Sequence, residues 1–259
     1  AVARHFKVKL EQHHRAEFDA RATGEIFIEM LSDLYKKDVK LHSDINKLID
    51  LDEAWKCGFT NHVVLLAKDQ EGLKNLYKLI SETLTTYFHG VPRLTKRTLN
   101  KFRKGLLVGS ACYKGDVFEK ALYDTDEKLK EAMEMFDYIE VQPPQAYKHL
   151  VAELGADGQF IIESTIRKIV FTAKELNKPI IATGDVHYID EDDVLYRDVY
   201  VNAKLVGGGL HDLARYEQSP MVNFLTTDEM LQQFSFLGEK IAYEIVVKNT
   251  NDLNDKIDK

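Results

Sequence analysis

Asp185 and His187 stand two residues apart in Ala182-Thr183-Gly184-Asp185-Val186-His187, directly after the apolar run Pro179-Ile180-Ile181. Residues i and i+2 of a strand share a face, so a carboxylate and an imidazole placed here converge beyond the end of a sheet. That arrangement suits a metal ion, and it equally suits an ion pair. Two further donors occupy comparable places. His62 immediately precedes the apolar core of residues 62–67 (HVVLLA), and Cys112 follows residues 106–111 (LLVGSA). Imidazole, thiolate and carboxylate are the donors that bind zinc and similar divalent ions. Each residue also has a plain structural reading: His62 as a solvent-facing histidine at a strand start, Cys112 as a small buried hydrophobe, Asp185 as a turn residue or helix cap. Spacing leaves both readings open.

A second chemistry-bearing cluster lies near the start, in Glu11-Gln12-His13-His14-Arg15-Ala16-Glu17-Phe18-Asp19. If a helix begins near Arg15, His14 lies in the entering loop and Asp19 on the first turns, and both can face one cleft. A histidine that deprotonates water beside an aspartate holding a metal is a workable hydrolytic pair. The alternative is a helix start whose carboxylates are favoured by the helix dipole.

The elements that must carry these residues follow from periodicity. Phe18, Ala22, Ile26, Met30 and Leu34 recur at helical spacing, which predicts a helix over 15–37. Residues 38–60, with the sole tryptophan, Trp55, read as a connector. Beyond them buried strands are expected at 62–67, 106–110, 138–142 and 179–183. Helices are expected at 70–86, 115–122, 126–135, 159–176, 191–204, 227–235 and 238–249. Alternating strands and helices imply an α/β domain with a parallel sheet, open or closed as a barrel. Ligands in such folds gather at the carboxyl ends of the strands, which is where Asp185 falls.

Composition narrows the classes. The formal net charge of -7 excludes a surface that attracts nucleic acid everywhere. Any DNA contact would be local, at the one dense basic stretch of Arg93, Lys96, Arg97, Lys101, Arg103 and Lys104, which also fits a solvated helix face. Two cysteines, Cys57 and Cys112, are too few for a disulfide framework and point to a reducing, cytoplasmic setting. No apolar stretch approaches the ~18 residues of a membrane span. The opening AVARHF, without an initiator methionine, reads as a piece of a longer polypeptide.

The stretches HVVLLAKDQEGLKNLYKLIS, GLLVGSACYKGDVFEKAL, FDYIEVQPPQAY, ATGDVHYIDEDD and FLTTDEML together resemble the PHP (polymerase and histidinol phosphatase) domain of bacterial replicative polymerases of the PolC type, from about residue 60 onward. EQHHRAEFDARATGEIF resembles the last motif, His-x-x-x-x-Asp, of the DEDDh 3′–5′ exonuclease inserted within that domain, with His14 and Asp19 on its positions. The resemblance implies three segments: 1–37 as the closing helix of the exonuclease, 38–60 as a linker, and 61–259 as the C-terminal portion of an incomplete, parallel-stranded PHP domain with a distorted β/α barrel-like fold. It implies that His14 is a general base and Asp19 a ligand for Mg or Mn. It assigns His62, Cys112, Asp185 and His187 to a PHP centre holding Zn, Mn or Fe. The remaining ligands, beginning with a His-x-His motif, are expected ahead of the exonuclease insertion, outside this sequence.

The implied function is DNA replication with proofreading in a parent polymerase. DNA and replisome subunits such as the sliding clamp are its expected partners. This chain alone is expected to be inactive. Two alternatives stand beside it: a PHP module whose metal stabilises the fold without turnover, and a stand-alone metal-dependent phosphoesterase. The latter should carry its own His-x-His near the start, whereas His13 and His14 are adjacent.

Overall fold

The computed structural model describes residues 2–9, 15–50 and 52–258. Contacts divide the chain into two units, residues 1–58 and 59–259. The first holds helices α1 (Val2–His5) and α2 (Ala16–Lys36), followed by 3-10 turns at His42–Leu48 and Ala54–Lys56. Helix α2 fills the span expected from periodicity. Its buried residue is Ala22, while Phe27, Ile28, Met30 and Tyr35 remain exposed.

The second unit opens with β1 (Val64–Ala67) and α3 (Gln70–Thr85), then a hairpin of β2 (Phe88–His89) and β3 (Val91–Pro92), then α4 (Lys96–Phe102) and β4 (Leu106–Gly109). Helices α5 (Asp116–Tyr123) and α6 (Asp126–Met133) lead to β5 (Ile139–Val141). Helices α7 (Lys148–Glu153) and α8 (Gly158–Glu175) lead to β6 (Ile180–Ala182). The last helices are α9 (Val194–Asn202), α10 (Thr227–Gln233), α11 (Glu239–Tyr243) and α12 (Asn249–Asn254), with a π-helical turn at Glu244–Lys248 joining the last two.

Local chemistry sets these boundaries. The Asp69 carboxylate accepts from Gly72 N at 2.7 Å and caps α3. Thr226 and Glu229 form a reciprocal capping box at α10. Helix α8 stops where Asn177 takes a left-handed φ of 53°, with Asn177 N donating to Lys174 O and Lys178 N to Ala173 O. This is the helix-ending motif an asparagine tolerates, and Pro179 then forbids continuation and starts β6.

Helix α8 also explains the main core. Ile162, Ile166, Ile169, Val170 and Ala173 recur at helical spacing and are at most 1% exposed. They pack with Val117, Phe118, Leu129 and Met133 and with Ile139, Val141, Ile180 and Ala182 of the strands. The opposite face of the strands carries a smaller cluster of Leu107, Tyr138, Ile181 and Leu253. Along residues 138–142 the pleat therefore alternates: Ile139 and Val141 face the main core, and Tyr138, Glu140 and Gln142 face the other side.

The sheet departs from the expected all-parallel pattern. β5 and β6 are parallel, Ile139 opposite Ile180. β1 and β4 are antiparallel, with Val64 opposite Gly109 and Ala67 opposite Leu106. A single helix between two strands returns the chain to its starting end and gives parallel neighbours. Between β1 and β4 the chain instead inserts α3, a hairpin and α4, and enters β4 beside the end of β1. Lys68 N donates to Gly105 O at 2.8 Å there. The approach is close enough that a methyl group on Gly72 would run into the Gly105 carbonyl.

The β4–β5 junction is a single parallel bridge, Gly109 to Tyr138. Asp137 completes it from both ends: its N–H donates to Val108 O, and its carboxylate accepts from Val108 N, each at 2.8 Å. Arg103 holds the same carboxylate at 3.1 Å. At least half of the basic stretch is thus engaged locally, with Lys101 paired to Glu82 and Lys104 to Glu71 beside the Arg103–Asp137 pair. No helix among the described residues is long and apolar enough to cross a membrane.

Candidate metal centre

The antiparallel pair puts the beginning of β1 next to the end of β4. His62, two residues before β1, donates its N–H to Lys114 O at 2.9 Å. Its ring reaches Cys112, with 3.4 Å between Nδ1 and Sγ. Because β4, β5 and β6 run in one direction, the segment that follows β6 arrives at the same end. His62, Cys112 and Asp185 line one cavity of about 400 Å³, together with Val63, Val64, Ala111, Glu140, Gln142 and Thr183.

His187 is not among the residues that line this cavity. Its Nδ1 meets the Asp185 carbonyl at 2.7 Å, and its N–H donates to Val222 O at 2.9 Å. An Nδ1–H committed to a carbonyl leaves Nε2 as the atom free to bind a ligand. Asp19 lies in the first unit, in the first turn of α2, with its N–H donating to Arg15 O. His14 lies outside the described residues.

Backbone strain concentrates at the cavity. Ala111 and Asp185 hold left-handed φ values of 61° and 47°. Such a conformation costs an L-residue roughly 1–2 kcal/mol, less for aspartate than for alanine. Both residues adjoin or supply a donor, so the strain is spent on aiming Cys112 and Asp185.

The electrostatics describe a neutral pair. Burial pushes the Cys112 thiol above its ordinary pKa. Desolvation of the His62 ring, and secondly the Lys114 ammonium, hold the imidazole below its ordinary value. The thiol then keeps its proton beside a neutral imidazole, and the ring tautomer decides which of the two donates. A metal ion would displace that proton, because thiolate is the binding form.

The donors suit a divalent ion in kind. Zn–S bonds near 2.3 Å and Zn–N bonds near 2.0 Å put the two donor atoms of a tetrahedral site about 3.5 Å apart, and the His62–Cys112 separation is 3.4 Å. The count falls short. Among the described residues no group of three or more His, Cys, Asp or Glu side chains is gathered closely enough to hold an ion.

Three polar lining residues, Glu140, Gln142 and Thr183, escaped the sequence reading. Glu140 lies among them with its pKa raised by burial, its Oε2 accepting from the Thr183 hydroxyl at 3.1 Å. Gln142 is buried beside it and donates to Thr183 Oγ1 at 2.9 Å. The signal was Glu140 and Gln142 themselves, two polar residues at alternating positions in an otherwise apolar strand.

Comparison with known proteins places the chain in a family. A family model described as PHP domain matches residues 9–144, more than half of the chain. The match begins inside the stretch read from sequence as exonuclease helix and linker, and it ends before Asp185 and His187. The chain is 43% identical over 243 residues to the PolC-type DNA polymerase III of Bacillus cereus, covering 94% of this chain and 17% of the relative. It is 41% identical over 258 residues to that of Bacillus subtilis, covering 99% of this chain and 18% of the relative. A third relative, from Staphylococcus saprophyticus, is 40% identical over 259 residues, with 18% of its length covered. The chain spans less than a fifth of the length of these curated relatives. With residues 9–144 on the family's pattern, the chain belongs to the PHP domain family.

Proposed function

We propose that this chain is the PHP module of a PolC-type replicative DNA polymerase, and that His62, Cys112, Asp185 and His187 are its share of a divalent-metal centre. The observation that carries the reading is the meeting of His62 and Cys112 at ligand separation, in a cavity shared with Asp185. Residues 61–259 form the C-terminal portion of the PHP fold in this reading, a distorted β/α barrel-like arrangement. Residues 1–37 are the closing helix of an inserted 3′–5′ exonuclease, and 38–60 a linker. The parent binds DNA and a sliding clamp in the cytoplasm, copying DNA and proofreading with His14 as general base and Asp19 as a ligand of Mg or Mn. The PHP ion, Zn, Mn or Fe, holds the module together when bound and offers a Lewis acid at the strand ends.

Two measurements test this. Cobalt added to the metal-free chain should give a thiolate-to-cobalt absorption band that Cys112→Ser removes. A wild-type chain that takes up no cobalt would refute the metal assignment. In the full-length polymerase, His14→Ala should lower exonuclease turnover on the order of 10²–10⁴-fold and leave polymerisation nearly unchanged. If His13→Ala does this and His14→Ala does not, the motif is out of register and the role of Asp19 falls with it.

A further inference from the structure

We infer that Gln142 is the positioning residue of this site: its amide fixes the separation between the loop carrying Cys112 and the loop carrying Asp185. Gln142 closes β5, between β4, which leads to Cys112, and β6, which leads to Asp185. It is 3% exposed, and every polar atom of its side chain is engaged. Nε2 donates to Ala111 O at 3.3 Å and to Thr183 Oγ1 at 2.9 Å. Oε1 accepts from the Tyr147 hydroxyl at 2.8 Å. One amide group therefore ties the residue before Cys112 to the residue two before Asp185.

The hydrogen bonds run with a single polarity. Tyr147 donates to the Gln142 carbonyl, the Gln142 amide donates to the Thr183 hydroxyl, and Thr183 donates to Glu140 Oε2. A carboxylate at 142 would reverse the middle step and turn an acceptor toward the Ala111 carbonyl. An apolar side chain of equal length would fill the space and leave Ala111 O and Thr183 Oγ1 without the bond that spans them. Ala111 needs such a bond, since it holds a left-handed φ of 61° immediately before Cys112. Packing alone explains a buried side chain here. It does not explain why the side chain is an amide that reaches both loops.

The test uses the 259-residue chain as wild type, Gln142→Met and Ile169→Ala, the last a control that opens a cavity in the main core. In metal-free protein, the iodoacetamide reaction rate of Cys112 is measured relative to that of the exposed Cys57. Gln142→Met should raise the ratio on the order of 10-fold by releasing the Cys112 loop, with Ile169→Ala within about 2-fold of wild type. Cobalt affinity should fall about 10–100-fold in Gln142→Met, the usual effect of losing a partner that orients a ligand. Thr183→Val removes the amide's other partner and should shift the ratio the same way, which serves should Gln142→Met fail to fold. An unchanged ratio, or an equal rise in Ile169→Ala, overturns the inference. The cobalt arm rests on the metal reading above. If the wild type binds no cobalt, that reading falls, and the alkylation ratio still decides the role of Gln142.

Discussion

His62 and Cys112 are 50 residues apart in sequence and 3.4 Å apart in space because β1 and β4 run in opposite directions. In a parallel pair the start of β1 would lie at the far end of the sheet from the end of β4, and the two donors would never meet. Donors that share one ion should behave as a unit. Cobalt affinity measured for His62→Ala, Cys112→Ser and the double variant should show a double variant hardly weaker than the weaker single one. Additive losses would mean that the two side chains bind separate ions or none.

His149 gives a pH signature. It is fully buried, both ring nitrogens lack a hydrogen-bond partner, and the rings of Tyr113 and Tyr216 flank it at 4.6 and 4.8 Å. Burial, followed by the charges of Arg215 and Lys114, pushes its pKa down to about 4. The unfolded chain protonates this histidine near 6.5 and the folded chain does not, so stability is lost as pH falls between those values. Relative to pH 7 the loss at pH 5 from this one group is about 2 kcal/mol. The gap between the unfolding free energies from urea denaturation at pH 7 and pH 5 should shrink in His149→Phe by about that amount. An unchanged gap would place the acid sensitivity elsewhere.

Gly109 is a packing requirement. A methyl group there would come within 2.5 Å of the Tyr138 ring end and Glu140 Oε1. Gly109→Ala should therefore destabilise by about 1–3 kcal/mol, read from chemical denaturation. Gly24, in the middle of α2 with nothing within 4 Å of an added methyl, is the contrast. Gly24→Ala should stabilise α2 by up to about 1 kcal/mol, and a destabilising Gly24→Ala would contradict the open surroundings described here.

Asp137 substitutes for missing ladder hydrogen bonds at the β4–β5 junction. Removing it leaves Val108 N–H buried without an acceptor, at a cost of about 1–3 kcal/mol. Asp137→Asn keeps one acceptor oxygen for Val108 and should lose clearly less than Asp137→Ala. Equal losses would assign the effect to the Arg103 ion pair instead.

Much of this architecture is legible in the sequence. Asp69 announces α3, Asn177-Lys178-Pro179 ends α8 and starts β6, and the four main strands lie where short apolar runs put them. The direction of β1 against β4 is not legible, because alternation of side chains says which face is buried and nothing of which neighbour pairs or which way it runs. The clue lay in residues 87–105, where a hairpin and a short helix hide in a stretch whose strongest pattern is positive charge. Three of the residues that line the candidate site were legible in the sequence, and their supports were not. His62, Cys112 and Asp185 advertise chemistry by residue type, whereas Gln142 and Thr183 matter only through what surrounds them.

The π-helical turn at Glu244–Lys248 bears on the outer edge of β6. An extra residue in one helical turn rotates everything after it by about 100°. Here that rotation delivers Asn249, whose Nδ2 donates to Ile180 O at 2.8 Å, onto a carbonyl of β6 that would otherwise be open to a foreign strand. A bare strand edge is a template for aggregation, and here a side chain occupies part of it. A one-residue deletion anywhere in 244–248 should restore a regular α-helix and swing Asn249 off β6, and light scattering should then report larger particles than the unaltered chain gives.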